Sequence, residues 1–132
     1  MSERDWKLYH FAVLRVVPHV HLGAFVNVGV VLHARTSGFL GLRVVDSTEE
    51  LGRRVDGVDL ELLARYLHSA RRVCEGDPEA GPVALAPPSE RFHWLTAPRS
   101  DVIQASPIHE GVCDDPAQAL EELFAEYVGR RE

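Results

Sequence analysis

Apolar and polar positions in the first third of the chain recur with a period of two, the signature of strands. Trp6 to Val17 is rich in β-branched and aromatic residues and stops at Pro18, which has no N–H to give a ladder. Phe25 to Ala34 alternates, with Val26, Val28, Val30 and Leu32 on one side and Phe25, Asn27, Gly29, Val31 and His33 on the other. Phe39 to Val45 repeats the pattern, Leu40, Leu42 and Val44 against Phe39, Gly41, Arg43 and Val45. The connectors, Pro18 to Ala24 and Arg35 to Gly38, are short and carry Gly or Pro, so residues 6–45 read as an antiparallel meander. Keeping the aliphatic rows together puts Val30 opposite Leu42 and Gly29 opposite Arg43. It also places Arg15 opposite Asn27 and Val13 opposite Gly29, and gives the aliphatic set one shared buried face.

Further on the period changes to that of a helix. Asp56 and Asp59 open an amphipathic segment over 56–74 with Leu60, Leu63, Leu67 and Ala70 as its stripe. Residues 115–129 form the second: Asp115 caps, Pro116 takes the first helical position, Gln118 completes a capping box, and Gly129 stops the helix. A shorter turn can open at Asp46 with Glu49. Four prolines and two glycines make 76–89 a loop. Residues 90–113 read as loop and short strands, the strands at Arg91–Leu95 and Ser100–Ala105. The fold class predicted is α+β: an antiparallel sheet built on the N-terminal meander and backed by two amphipathic helices.

Composition narrows the class. A chain of 132 residues suits a single domain over 1–132. With 45% hydrophobic and 26% charged residues it is neither disordered nor fibrous. A net charge of −6 speaks against a nucleic-acid partner, and the longest apolar run, Val28 to Leu32, is far below a membrane span. Two cysteines, Cys74 and Cys113, and a charged start from Met1 to Asp5 predict a cytoplasmic protein without a signal peptide. Charge is uneven: residues 1–45 carry five basic and two acidic side chains, whereas 110–132 carry seven acidic and two basic. An anion should therefore prefer the sheet.

The predicted register gathers Arg15, Asn27 and Arg43 around the bare backbone of Gly29. Two planar bidentate donors and an amide there suit a small anionic ligand, or an acidic segment of a partner. The same side chains serve structure equally well, the arginines pairing with helix acids and Asn27 bonding backbone. A second candidate surface is the stretch around Arg91, His93, Trp94 and Arg99 with His109 beyond it, where aromatic and arginine enrichment suits an interface; alternatively Phe92 and Trp94 anchor the loop and the arginines solvate it. Seven histidines, including the pair His19 and His21, lack zinc spacing, and the cysteines lie 39 residues apart, so no metal site and no cofactor are expected. Cys74 falls where a thiol is buried and inert, and Asp114 and Asp115 should raise the Cys113 pKa. Without a nucleophile elbow, a Walker loop or a dinucleotide fingerprint, no catalytic residue is assigned and an enzyme is the lesser reading.

Two strings are distinctive together: Tyr9-His10-Phe11-Ala12-Val13-Leu14-Arg15-Val16-Val17-Pro18 and Gly23-Ala24-Phe25-Val26-Asn27-Val28-Gly29-Val30-Val31-Leu32. They resemble the opening of a small bacterial family known as domain of unknown function 3037, Y-x-x-x-V-x-R-x-x-P followed by G-E-F-x-N-x-G-V-x-L, with Ala24 here in place of Glu. The closing stretch Asp115 to Val128 fits as well. The resemblance singles out Arg15, Pro18, Asn27 and Gly29. It implies a HipA-like kinase as partner and hence a non-catalytic accessory module; the alternative is an anion sensor or small enzyme using the Arg15/Asn27/Arg43 face.

Overall fold

A computed structural model of the chain describes residues 5–18, 24–45, 47–98 and 102–129. Strands β1 (Lys7–Val16), β2 (Val26–Ala34) and β3 (Phe39–Val44) form the expected meander. Helices α1 (Thr48–Arg54), α2 (Leu60–Cys74) and α3 (Pro88–Thr96) follow, then β4 (Ile103–Ala105), β5 (His109–Cys113) and α4 (Pro116–Tyr127). The sheet runs β3-β2-β1-β4, and β5 also pairs with β1, so both late strands share the far edge of β1. The fold is α+β, an antiparallel sheet with helices packed against it.

The sheet is covered on both sides, and this changes which residues are interior. Phe11, Val13, Val30, Leu32 and Ala34 pack under α4 with Leu120. Ala12 and Val31 pack under α2 and α3 with Val73, Phe92 and Leu95. Leu14, Val16, Val28 and Val44 meet Leu51, Leu63 and Leu67 of α1 and α2. The expected single aliphatic face is thus corrected: Val26 and Val28 belong to the α1–α2 side, Val30 and Leu32 to the α4 side, Leu40 and Leu42 to the α2–α3 side.

Two backbone features cause the difference. Arg15 pairs with Asn27 as expected, but Leu14 pairs with Gly29 and Val13 with Val30, so β2 carries one extra residue at a bulge. The β2–β3 turn holds four residues, a 3₁₀ turn over Arg35–Ser37 closed by Gly38 at φ 67°, whose N–H donates to the Arg35 carbonyl. Ala34 then pairs with Phe39, and Arg43 stands opposite Val30 rather than Gly29.

The helix starts follow from their caps. Asp59 accepts from the Leu62 N–H and Asp115 from the Gln118 N–H, while the Gln118 amide turns to Glu122. The short turn expected at Asp46 is a helix capped by Ser47, which accepts from the Glu50 N–H; Asp46 lies outside the described residues. Residues 91–95 correct the expected strand. They belong to α3, because Pro88 presets its first turn and the buried pair Phe92 and Leu95 is spaced by three, a helical interval. Residues 76–89 carry two 3₁₀ turns, Pro78–Ala80 and Pro82–Leu85, within the loop.

Candidate functional site

Arg15, Asn27 and Arg43 all lie on the α4 side of the sheet. Arg43 Nε donates to Glu121 Oε1 at 3.0 Å, and its guanidinium lies 4.4 Å from the Phe124 ring centroid. Asn27 Nδ2 donates to the Tyr127 carbonyl at 2.9 Å, one of the last carbonyls of α4. Arg54 of α1 donates to the next, Val128, at 3.0 Å while its Nε holds Glu50. The C-terminal end of α4 is therefore held by an amide from β2 and a cation from α1, as its dipole favours. The guanidinium of Arg15 lies 4.0 Å from the Phe25 ring centroid. Its Nε and the Oδ1 of Asn27, a donor and an acceptor on directly paired residues, are buried without hydrogen-bond partners among the described residues.

Gly29 leaves this group. A Cβ there would come within 2.6 Å of Val44 Cγ1, so the glycine faces the α1–α2 side. The bulge turned it away. A cavity of about 480 Å³ borders the arginine face, lined by Arg43 and Arg54 with Glu50, Glu121 and Phe124. Its two cations and two carboxylates are paired with each other.

The second candidate surface separates into parts. Arg91 reaches back to the proline-rich segment and donates to the Ala84 and Ala86 carbonyls, an anchoring role. Trp94 borders a groove of about 280 Å³ with Tyr66, Leu67, Leu95 and Ile103. A second groove of about 290 Å³, with Val58, Leu62 and Val102, continues from the other side of Tyr66. His109 lies across the sheet, its ring 5.3 Å from that of Phe11. Arg99, like His19 and His21, is outside the described residues.

His93 points to a site that the sequence pattern concealed. It shares a cavity of about 630 Å³ with His10, His33, Arg35, Thr36 and Ser89, walled by Leu8, Phe92 and Ile108. His10 and His33 are directly paired residues of β1 and β2. The His33 ring packs 5.4 Å from that of Phe92, and His10 Nε2 lies 3.2 Å from Glu110 Oε2. Burial first, then the positive neighbours His10, Arg35 and His93, lower the His33 pKa. The register expected from alternation sets His10 opposite Leu32; the bulge shifts it by one and makes the His10–His33 pair.

Among the described residues no three His, Cys, Asp or Glu side chains converge closely enough to hold a metal ion. Both cysteines are buried. Burial pushes the Cys74 thiol up to about 11, and raises that of Cys113 more than Asp114 and Asp115 do. None of the described helices is long and apolar enough to cross a membrane.

These features define an α+β protein with a five-stranded antiparallel sheet between α4 on one side and α1–α3 on the other, carrying an arginine face, an aromatic groove and a histidine cavity. A family model described as a protein of unknown function, DUF3037, matches residues 11–128, and the chain belongs to that family. Neither a curated protein nor a solved structure matches it.

Proposed function

We propose that the protein is a non-catalytic accessory module and that its partner is a HipA-like kinase, as the family resemblance implies. The observation that carries the interaction reading is the pair of grooves meeting at Tyr66. Leu62, Tyr66, Trp94 and Val102 are each more than a third exposed along them, although they are large and apolar. Tyrosine and tryptophan are the side chains most often responsible for binding energy at protein interfaces, and apolar surface of this kind marks contact sites.

Tagged protein purified from its native host at native expression should retain the kinase, identified by mass spectrometry. Tyr66→Ala combined with Trp94→Ala should lose it. Hot-spot residues contribute about 2 kcal/mol each, so affinity should fall by roughly three orders of magnitude. Both residues are exposed, so the melting temperature should stay close to wild type. Absence of the kinase, or its retention by the double variant, refutes the reading.

A second reading makes Arg15, Asn27 and Arg43 the contact for a small anion, favoured by the cavity beside Arg43. Against it, Glu121 and α4 already occupy two of the three side chains. Arg15→Ala with Arg43→Ala should abolish anion binding at an unchanged melting temperature on that reading, and lower the melting temperature if the arginines are structural.

A further inference from the structure

We propose that the cavity between the β1–β2 pair and α3 is a binding site for a small organic phosphate. It goes beyond the kinase reading and does not depend on it.

The cavity's lining gives the argument. The side chains around it supply a guanidinium from Arg35, imidazoles from His10, His33 and His93, and hydroxyls from Thr36 and Ser89. No carboxylate is among the lining residues, and Glu110, beside the cavity, is held by His10. In a chain of net charge −6 an acid-free pocket with this donor set is a local inversion of charge. The chemistry selects an anion with several acceptor atoms: arginine donates to phosphate oxygens through charge-assisted hydrogen bonds, with imidazole N–H and hydroxyl donors beside it. The imidazoles do not converge on a point that could hold a metal ion, so they suit separated acceptors.

The remaining walls select an organic body. Leu8, Phe92 and Ile108 complete the cavity with apolar surface, and about 630 Å³ is far more than an inorganic phosphate fills. Leu8 and Ile108 are half exposed although large and apolar, the condition of side chains that a ligand would cover. The electrostatics agree. His33, at the buried side, is driven toward its neutral form first by burial and then by the field of His10 on β1, Arg35 in the turn after β2 and His93 on α3. The same field favours an incoming anion. Ser89 and His93, one helical turn apart on α3, and Arg35, in the turn after β2, place donors on two sides of the opening.

The test uses the purified full chain and phenyl phosphate, a dianionic head on a flat apolar ring, with inorganic phosphate and benzoate alongside. Calorimetry should show saturable binding of phenyl phosphate, weaker binding of inorganic phosphate, and weaker binding still of benzoate. Arg35→Ala and His93→Gln, both at exposed positions, should each weaken phenyl phosphate binding at least tenfold without changing the melting temperature of the free protein. The ring proton resonances of His33 should shift on titration. No heat and no resonance shift at millimolar phenyl phosphate overturns the proposal. So does binding that both variants retain in full, or benzoate binding as tightly as phenyl phosphate. The kinase co-purification is read separately, so failure of either idea leaves the other decided on its own result.

Discussion

Gly29→Ala separates the observed sheet from the arrangement that alternation alone suggests. In the observed register the new methyl group would lie 2.6 Å from Val44 Cγ1 and 3.0 Å from the Arg43 carbonyl oxygen. Val44 is buried in the cluster with Leu14, Leu51 and Leu67, and β-branching restricts its χ1, so it cannot swing aside. Overpacking of this kind costs about 1–3 kcal/mol. Were Gly29 among the arginines, the methyl group would have space, and losing the flexibility of glycine in the unfolded chain would stabilise by about 0.4–1 kcal/mol. The two arrangements therefore predict opposite signs. For a chain of this length 1 kcal/mol corresponds to about 4 °C in melting temperature. Differential scanning calorimetry should show a fall of roughly 4–12 °C. Val44→Ala removes the obstructing methyl groups, so Gly29→Ala in that background should cost at least about 1 kcal/mol less than alone, a coupling typical of residues in contact. A Gly29→Ala protein melting at or above wild type, or strictly additive variants, would refute the register.

Three further outcomes follow from buried polar groups. His33 is held neutral by the fold, so stability should be full above the ordinary imidazole pKa of about 6.5 and fall as pH drops through it toward the lowered folded value; melting temperatures of His33→Phe should depend less on pH between about 8 and 5, and an unchanged slope contradicts this. Cys74, with its pKa near 11, should resist a disulfide reagent at neutral pH and react only on unfolding; prompt labelling at Cys74 in the native protein contradicts it. Ser106 Oγ accepts the Val13 N–H at 2.9 Å in the buried β1–β4 junction, so Ser106→Ala should cost about 1–3 kcal/mol by leaving that donor unpaired, and a near-neutral denaturation midpoint argues against the bond.

The parts of the fold legible from sequence are those with a local physical signal. Asp59, Asp115 and Pro116 set the starts of α2 and α4 by bonds within one turn, and the strands of the meander announce themselves by period. The bulge beside Gly29 has no such signal, since Val-Asn-Val-Gly-Val alternates whether or not one residue is extra. α3 was hidden by its short length and by Arg91–Leu95 alternating as well as any strand. β5 carries Glu110, Gly111 and Val112 at an exposed position and offers little apolar pattern. Arg15, Asn27 and Arg43 do share a face, yet the partners of Asn27 and Arg43 lie on α4, 100 and 78 residues distant, which periodicity does not reach. The histidine cavity was missed for the same reason: His93 joins His10 and His33 only through packing of α3.

The central position of β1 has a consequence for synthesis. One of its edges is served at once by β2, but the other waits for β4 and β5, the last strands made. Between the end of β3 and the start of β4 the ribosome adds roughly 60 residues, which at about 5–20 residues per second takes several seconds. Throughout that interval the nascent chain presents Phe11 to Val16 as an apolar strand with one edge unpaired, the kind of edge that recruits other chains. Slower elongation over this stretch should therefore increase aggregation of the newborn protein, and a chaperone that shields extended apolar segments should find its binding site in β1.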